Sequence, residues 1–263
     1  VPHDFVAEAS PMRSTDKSHG YLMGGVAWYR RIVQLPQEAQ RRSVWLDFDG
    51  VMVACKVWLN GIFLGGHQGG YTPFRFDLGE GASAADLLQW GAANVLVVRV
   101  DAINPDGWWY DGGGIYRHVS LTLVDLVHFV QWGVYVPSVI RGAMSNSRLT
   151  ADAEVRPSVE LENAGVSRAS VEVLCTVRAA NGTAVGSSRQ AVDLGPGTNT
   201  TVVLPPVALS QASLWSLDQP ALHSLDAVLT ATSVTTLPSR GNVFNTVALD
   251  SLTVMFGIRS VDW

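Results

Sequence analysis

Between Asp101 and Arg117 the chain reads Asp-Ala-Ile-Asn-Pro-Asp-Gly-Trp-Trp-Tyr-Asp-Gly-Gly-Gly-Ile-Tyr-Arg. Two tryptophans and a tyrosine, Trp108, Trp109 and Tyr110, stand between Asp106 and Asp111 and run into three consecutive glycines. Glycine populates backbone conformations closed to other residues, so this run predicts a tight loop rather than a long regular element. Broad aromatic faces beside carboxylates suit a ligand with apolar C–H faces and a rim of hydroxyls, which describes a sugar. Interior packing of the same aromatics at a domain junction is the alternative that residue types alone leave open.

Other reactive arrangements are missing from the sequence. Hydrolysis of a glycoside with retention needs two carboxyl groups about 5–5.5 Å apart on a rigid scaffold. The acidic residues here are scattered, and Asp152, Glu154 and Glu172 fall on the outward phase of alternating strands, which predicts a solvated sheet face. The 6 histidines form no pair at metal-ligating spacing, so no metal is expected. Gly112-Gly-Gly114 lacks the Lys-Ser/Thr of a phosphate loop, and no Gly-x-Ser-x-Gly elbow occurs. No catalytic residue and no cofactor is expected within the chain, which reads as a binding or supporting unit.

The elements that would carry the loop are strands. Leu149, Ala151, Ala153 and Val155 alternate with Thr150, Asp152, Glu154 and Arg156, and Val171, Val173, Cys175 and Val177 repeat the pattern. Period-two alternation marks half-buried strands. Further strands are expected near 27–35, 43–49, 51–59, 72–78, 94–101, 115–124, 184–194, 200–204, 224–234 and 250–256. Asn60-Gly61 and Asn181-Gly182 are expected as hairpin turns. Only 83–90 reads as a short helical turn, with Ser83 as its cap. Nothing alternates strand with helix, so no (β/α)8 barrel is present. The fold class is all-β, with two sandwiches joined near 125–132, where a Trp-, Tyr- and Gly-rich half gives way to plain Val, Ala, Ser and Thr strands.

The 263 residues carry a net charge of −5, which leaves no basic footprint for nucleic acid. No apolar run is long enough for a membrane-spanning helix, so no membrane partner is expected. Charged residues are only 16% of the chain and mean hydropathy is +0.17. Both a large β core and a surface covered by something else fit that balance. Cys55 and Cys175 lie far apart in apolar alternating runs, where buried free thiols are expected. The start, Val1-Pro-His-Asp-Phe5, lacks an initiator methionine and reads as though cut from a longer chain.

Several runs together resemble glycoside hydrolase family 2, the β-galactosidase and β-glucuronidase family. They are Pro2-His-Asp-Phe5, Gly20-Tyr-Leu-Met-Gly-Gly-Val-Ala-Trp-Tyr-Arg-Arg31, Val57-Trp-Leu-Asn-Gly61 and Gly65-Gly-His-Gln-Gly-Gly-Tyr-Thr-Pro-Phe74. Asn94-Val-Leu-Val-Val-Arg-Val-Asp101 and Gly107-Trp-Trp-Tyr-Asp-Gly-Gly-Gly-Ile-Tyr-Arg-His-Val119 are the most specific. His128 to Pro137, Leu214-Trp-Ser-Leu-Asp-Gln-Pro-Ala-Leu-His223 and Phe256-Gly-Ile-Arg259 continue the likeness through the second half.

The resemblance implies a jelly-roll sugar-binding domain over 1–127 and an immunoglobulin-like sandwich over 128–263, ending at the linker to a catalytic barrel outside this sequence. It implies a parent enzyme acting on β-galactosides or related β-glycosides, whose nucleophile and acid/base glutamates have no counterpart here. In several members an aspartate before the Gly-Ile-Tyr/Phe-Arg run reaches the sugar; Trp108 holds that position here. Stacking by Trp108, a shifted role for Asp106 and a turn-capping or contact role for Asp101 all stay open. With Trp109, Tyr110 and Asp111, these make the candidate substrate-binding set. Arg117 is expected to be structural, paired with a carboxylate at the sheet end, and His67 to pack in its hairpin. A free-standing carbohydrate-binding module and a purely structural scaffold are the rival readings.

Overall fold

The computed structural model describes residues 1–15, 17–80, 87–103, 109–142, 149–232, 236–237, 241–242 and 248–260. Nearly all regular structure in them is β, in two compact units, Val1–Leu123 and Val124–Trp263. Half of the helical turn read at 83–90, residues 83–86 with the cap Ser83, lies outside the described residues, and the described half, 87–90, is a turn and an isolated bridge rather than a helix.

The first unit contains β1 (Val26–Gln34), β2 (Ser43–Phe48), β3 (Ala54–Leu59), β4 (Ile62–Gln68), β5 (Phe74–Glu80), β6 (Ala93–Asp101) and β7 (Val119–Val124). They form a four-stranded sheet, β1-β6-β3-β4, and a three-stranded sheet, β5-β2-β7. The alternating residues of each sheet that are apolar, among them Val57, Val98 and Val100 from one and Val44, Leu46 and Phe48 from the other, bury into one core. Phe48 stacks on Phe74 at 4.8 Å and meets Phe76 edge-on at 6.3 Å. Asn60 and Gly61 both take positive φ, 50° and 83°, and close the β3–β4 hairpin as a turn that matches strand twist.

Two expected strands are shorter than the alternation implied. Residues 51–53 and 115–118 stay outside the ladders. Met52 and Gly114 form only an isolated bridge, and Tyr116 donates its hydroxyl to the Gly70 carbonyl at 2.7 Å. Their backbone groups serve loops, so the apolar residues there pack without extending a sheet.

The second unit contains β8 (Val127–Tyr135), β9 (Ser138–Ile140), β10 (Thr150–Val155), β11 (Ser158–Asn163), β12 (Ala169–Arg178), β13 (Ala184–Leu194), β14 (Thr198–Val203), β15 (Val207–Ser213), β16 (His223–Ala231), β17 (Thr236–Leu237), β18 (Gly241–Asn242) and β19 (Ala248–Phe256). The sheet β13-β12-β16-β19 packs with β14-β11-β8 and β15-β10-β9 around one apolar core. Val171, Val173, Cys175 and Val177 are fully buried along β12 while their neighbours face outward. The Asn181-Gly182 turn is present, with Gly182 at φ 82° and its amide donating to the Ala179 carbonyl at 2.8 Å.

Both cysteines are buried free thiols, pushed up by burial to about 11 for Cys55 and about 12 for Cys175. His223 is buried against Phe256, its Nδ1 has no hydrogen-bond partner among the described residues, and burial holds its pKa below the ordinary 6.5. In the unfolded chain this imidazole binds a proton more readily than in the fold. Stability is therefore unaffected above the ordinary histidine range and falls as pH drops below it. A melting curve at about pH 5 should lie below one at about pH 7.5, and His223→Phe should reduce the difference.

Candidate functional site

Of the six residues singled out in sequence, Asp106 and Trp108 lie outside the described residues. Asp101, Trp109, Tyr110 and Asp111 are described. Asp101 ends β6, and the other three lead into the glycine run.

The backbone there is clamped from two sides. The N-terminal segment donates from His3 N to the Ile115 carbonyl and from Phe5 N to the Gly113 carbonyl, both at 2.8 Å. Met52 exchanges amide and carbonyl bonds with Gly114 at 3.0 and 2.9 Å. Asp4 ties the loop at its tip. Its Oδ1 accepts from the amides of Gly113 at 2.9 Å, Val6 at 3.0 Å and Ala7 at 3.3 Å, and its Oδ2 accepts from the Tyr110 hydroxyl at 2.8 Å.

The glycines are required by this clamp as much as by the turn. A Cβ on Gly112, at φ +73°, would stand 2.5 Å from Asp4 Oδ2. One on Gly113 would stand 2.7 Å from both Ala102 Cβ and Val6 Cγ2. The sequence signalled a tight turn; the close approach of the N-terminal segment is the stronger constraint. Asp4 was missed as a positioning residue because its loop partners are more than 100 residues away, and no local pattern marks such a contact.

Fixing the backbone in this way leaves the side chains to face outward. Trp109 is 61% exposed. It borders a cleft of about 850 Å³ together with Asp101, Asp111, Arg99, Lys56 and Gln68. Asp101, Trp109 and Asp111 are thus brought to one cleft. Tyr110 is held on Asp4 instead. Burial, reinforced by the Asp4 carboxylate, raises its hydroxyl above the ordinary phenol value, so it remains a donor.

Asp101 accepts from the Ile103 amide at 3.2 Å and from Arg99 Nη2 at 2.9 Å. The backbone bond first, and then Arg99, hold its carboxyl below the usual carboxylate range. It both caps the strand end and offers an ionised acceptor to the cleft. A fixed acceptor of this kind can take hydroxyl hydrogen bonds, while Trp109 can cover a pyranose face.

Two neighbouring expectations resolve differently. His67 packs as expected, stacked on Phe74 at 4.3 Å with Nε2 on Thr72 Oγ1 at 3.1 Å. Arg117 is structural, but its partners are carbonyls rather than a carboxylate: Nη1 reaches Asp49 O and Tyr71 O, each at 3.3 Å. Two loop carbonyls needed a donor there, and the guanidinium spans both. Among the described residues, no group of three or more His, Cys, Asp or Glu could hold a metal ion.

Asp4→Ala should free the loop at a cost of about 2 kcal/mol, because it strands partly buried amides and the Tyr110 hydroxyl. Denaturant unfolding would show the lower midpoint, and Asp4→Asn, which keeps an acceptor oxygen, should recover part of it.

Residues 13–124 match the glycosyl hydrolases family 2 sugar binding domain, and residues 140–237 match the glycosyl hydrolases family 2 domain. The chain is similar to a β-galactosidase of Bacteroides ovatus, at 31% identity over 86% of this chain and 25% of that protein. It is also similar to a β-glucuronidase of Formosa agariphila, at 32% identity over 43% of this chain and 13% of that protein. A solved glycosyl hydrolase family 2 member from Bacteroides cellulosilyticus superposes with a TM-score of 0.81 at 25% identity, over 100% of this chain and 32% of that one. The chain thus spans about a quarter of the length of the Bacteroides ovatus relative and less of the Formosa agariphila one.

Proposed function

This chain belongs to glycoside hydrolase family 2, and we propose that its first unit shapes the sugar subsite of an enzyme that hydrolyses β-galactosides or related β-glycosides. The reacting carboxyls belong, in this reading, to a catalytic barrel of the same protein. The chain contributes positioning: Trp109 covers an apolar sugar face, and Asp101 and Asp111 receive hydroxyls. Tyr110 anchors the loop through Asp4 rather than meeting the sugar, and Asp106 and Trp108 lie outside the described residues. No proton passes through these residues. Holding a sugar in its reactive geometry lowers the barrier by removing orientational freedom before the chemical step.

The observation that carries this reading is the exposure of Trp109 beside an ionised Asp101, on a loop whose backbone is clamped from two sides. A large aromatic held open to solvent beside a clamped backbone is poorly explained by packing within its own unit. The test is Trp109→Ala in the enzyme that joins this chain to its barrel. Its kcat/KM on an aryl β-galactoside should fall on the order of tenfold to hundredfold with the melting temperature unchanged. An unaltered kcat/KM would count against the subsite role.

A further inference from the structure

The outer face of the β1-β6-β3-β4 sheet is unusual in composition. Strand pairing lines up Trp28, Arg99, Lys56 and Gly66 in one cross-strand row and Arg30, Val97, Trp58 and Phe63 in the next. The neighbours Val57, Val98 and Val100 point into the core, so these rows point away from it. Trp28 is 62% and Phe63 54% exposed. Trp28 stacks on Trp58 at 5.7 Å, and Trp58 meets Phe63 at 5.4 Å. The result is an aromatic strip crossing all four strands, roughly 14 Å at ordinary strand spacing.

Cations are interleaved with that strip. Arg30, Lys56 and Arg99 share the face with the carboxylate of Asp101, to which Arg99 is already paired at 2.9 Å. Arg30 and Lys56 have no ion pair among the described residues. A positive aromatic face on a chain of net charge −5 is a local departure from the whole. Gly66 pairs with Lys56 at the end of its row, and the Lys56 stem and the Cys55 carbonyl lie where a Gly66 side chain would stand.

We propose that this sheet face binds an acidic glycan, with the aromatic strip under the pyranose rings and Arg30 and Lys56 on the carboxylate or sulfate groups. Aromatic faces match the apolar C–H surfaces of sugars, and the cations Arg30 and Lys56 match negative charge repeated along the polymer. The strip starts at the Lys56 edge of the Trp109 cleft and runs across the sheet, and its role goes beyond the subsite. It would hold a polymeric substrate near the enzyme whether or not the loop touches the bond being cleaved.

The test is calorimetric titration of the 263-residue chain with a galacturonate tetrasaccharide, a neutral galactose tetrasaccharide and a single-stranded oligothymidine. The acidic sugar should bind at least about fivefold more tightly than the other two and weaken when salt is raised from ~50 mM to ~500 mM. Trp28→Ala and Lys56→Ala, both at exposed positions, should each weaken it by about fivefold, and Trp109→Ala by less than about twofold. Absence of binding, equal binding of the neutral sugar or the oligonucleotide, or loss with Trp109→Ala but not with Trp28→Ala would overturn the proposal. None of these outcomes bears on the loop's effect on kcat/KM, so the two readings fail separately.

Discussion

Gly114→Ala should destabilise the first unit by about 4 kcal/mol, the sum of a steric and a backbone cost. The glycine sits at φ +140°, where side-chain-bearing residues are strained by about 1–3 kcal/mol. The added Cβ would also stand 2.4 Å from the His3 carbonyl oxygen and 2.7 Å from the Tyr29 hydroxyl. The first is backbone and cannot swing aside; the second is held at 2.9 Å from His3 Nδ1. The N-terminal segment must therefore separate from the 113–115 strip, which breaks the bonds from His3 and Phe5 and weakens the Asp4 tie. For a unit of this size the melting temperature should fall on the order of 15 °C. Gly182→Ala is the control. It has φ +82°, but a Cβ added there would meet nothing within 4 Å, so it should show the backbone cost alone, about 1 kcal/mol. Equal losses at the two sites would mean that the N-terminal clamp contributes nothing.

The sequence revealed most where one residue answers to its immediate neighbours. The alternation Val171, Val173, Cys175, Val177 placed β12 and its buried face, and Asn60-Gly61 placed a hairpin turn from two residues, because period and turn chemistry are local. The glycine run was legible as a loop for the same reason. What holds that loop was not legible: Asp4 meets Gly113 across 109 positions. Arg117 was expected on a carboxylate from its charge, yet it serves two loop carbonyls, and charge alone does not distinguish the two acceptors. The region 115–118 alternates like a strand, but its backbone pairs with loop segments at His3 and Asp49 rather than with a strand among the described residues, since pairing is decided by the sheet and not by the segment. The convergence of Asp101 with Trp109 and Asp111 could be guessed from proximity in sequence, whereas the cations Arg99 and Lys56 beside them come from strand register.

The second large expected effect is an absence of turnover by the isolated chain. Glycoside hydrolysis with retention asks for a protonated carboxyl next to the leaving oxygen and an ionised one about 5–5.5 Å away. The proton donor must be raised above its ordinary pKa by burial or a like charge. Asp101, Glu154 and Asp226 are held the other way. Ile103 and Arg99 lower the first, Arg156 and Arg141 the second, and Arg178 and Thr253 the third. Carboxylates fixed by guanidinium and amide donors make acceptors and braces, not acids. Asp226, for example, takes Arg178 Nε at 2.6 Å and the Thr253 hydroxyl at 2.8 Å. Held below the ordinary carboxylate range, these three groups brace a strand end or a sheet and do not match the raised proton donor that the reaction asks for.

The most direct test is an assay of the highly purified 263-residue chain with aryl β-galactosides and aryl β-glucuronides over long incubation. No hydrolysis above the uncatalysed background is expected at any pH where the chain is folded. Sustained turnover that disappears when a carboxylate of this chain is replaced would contradict it.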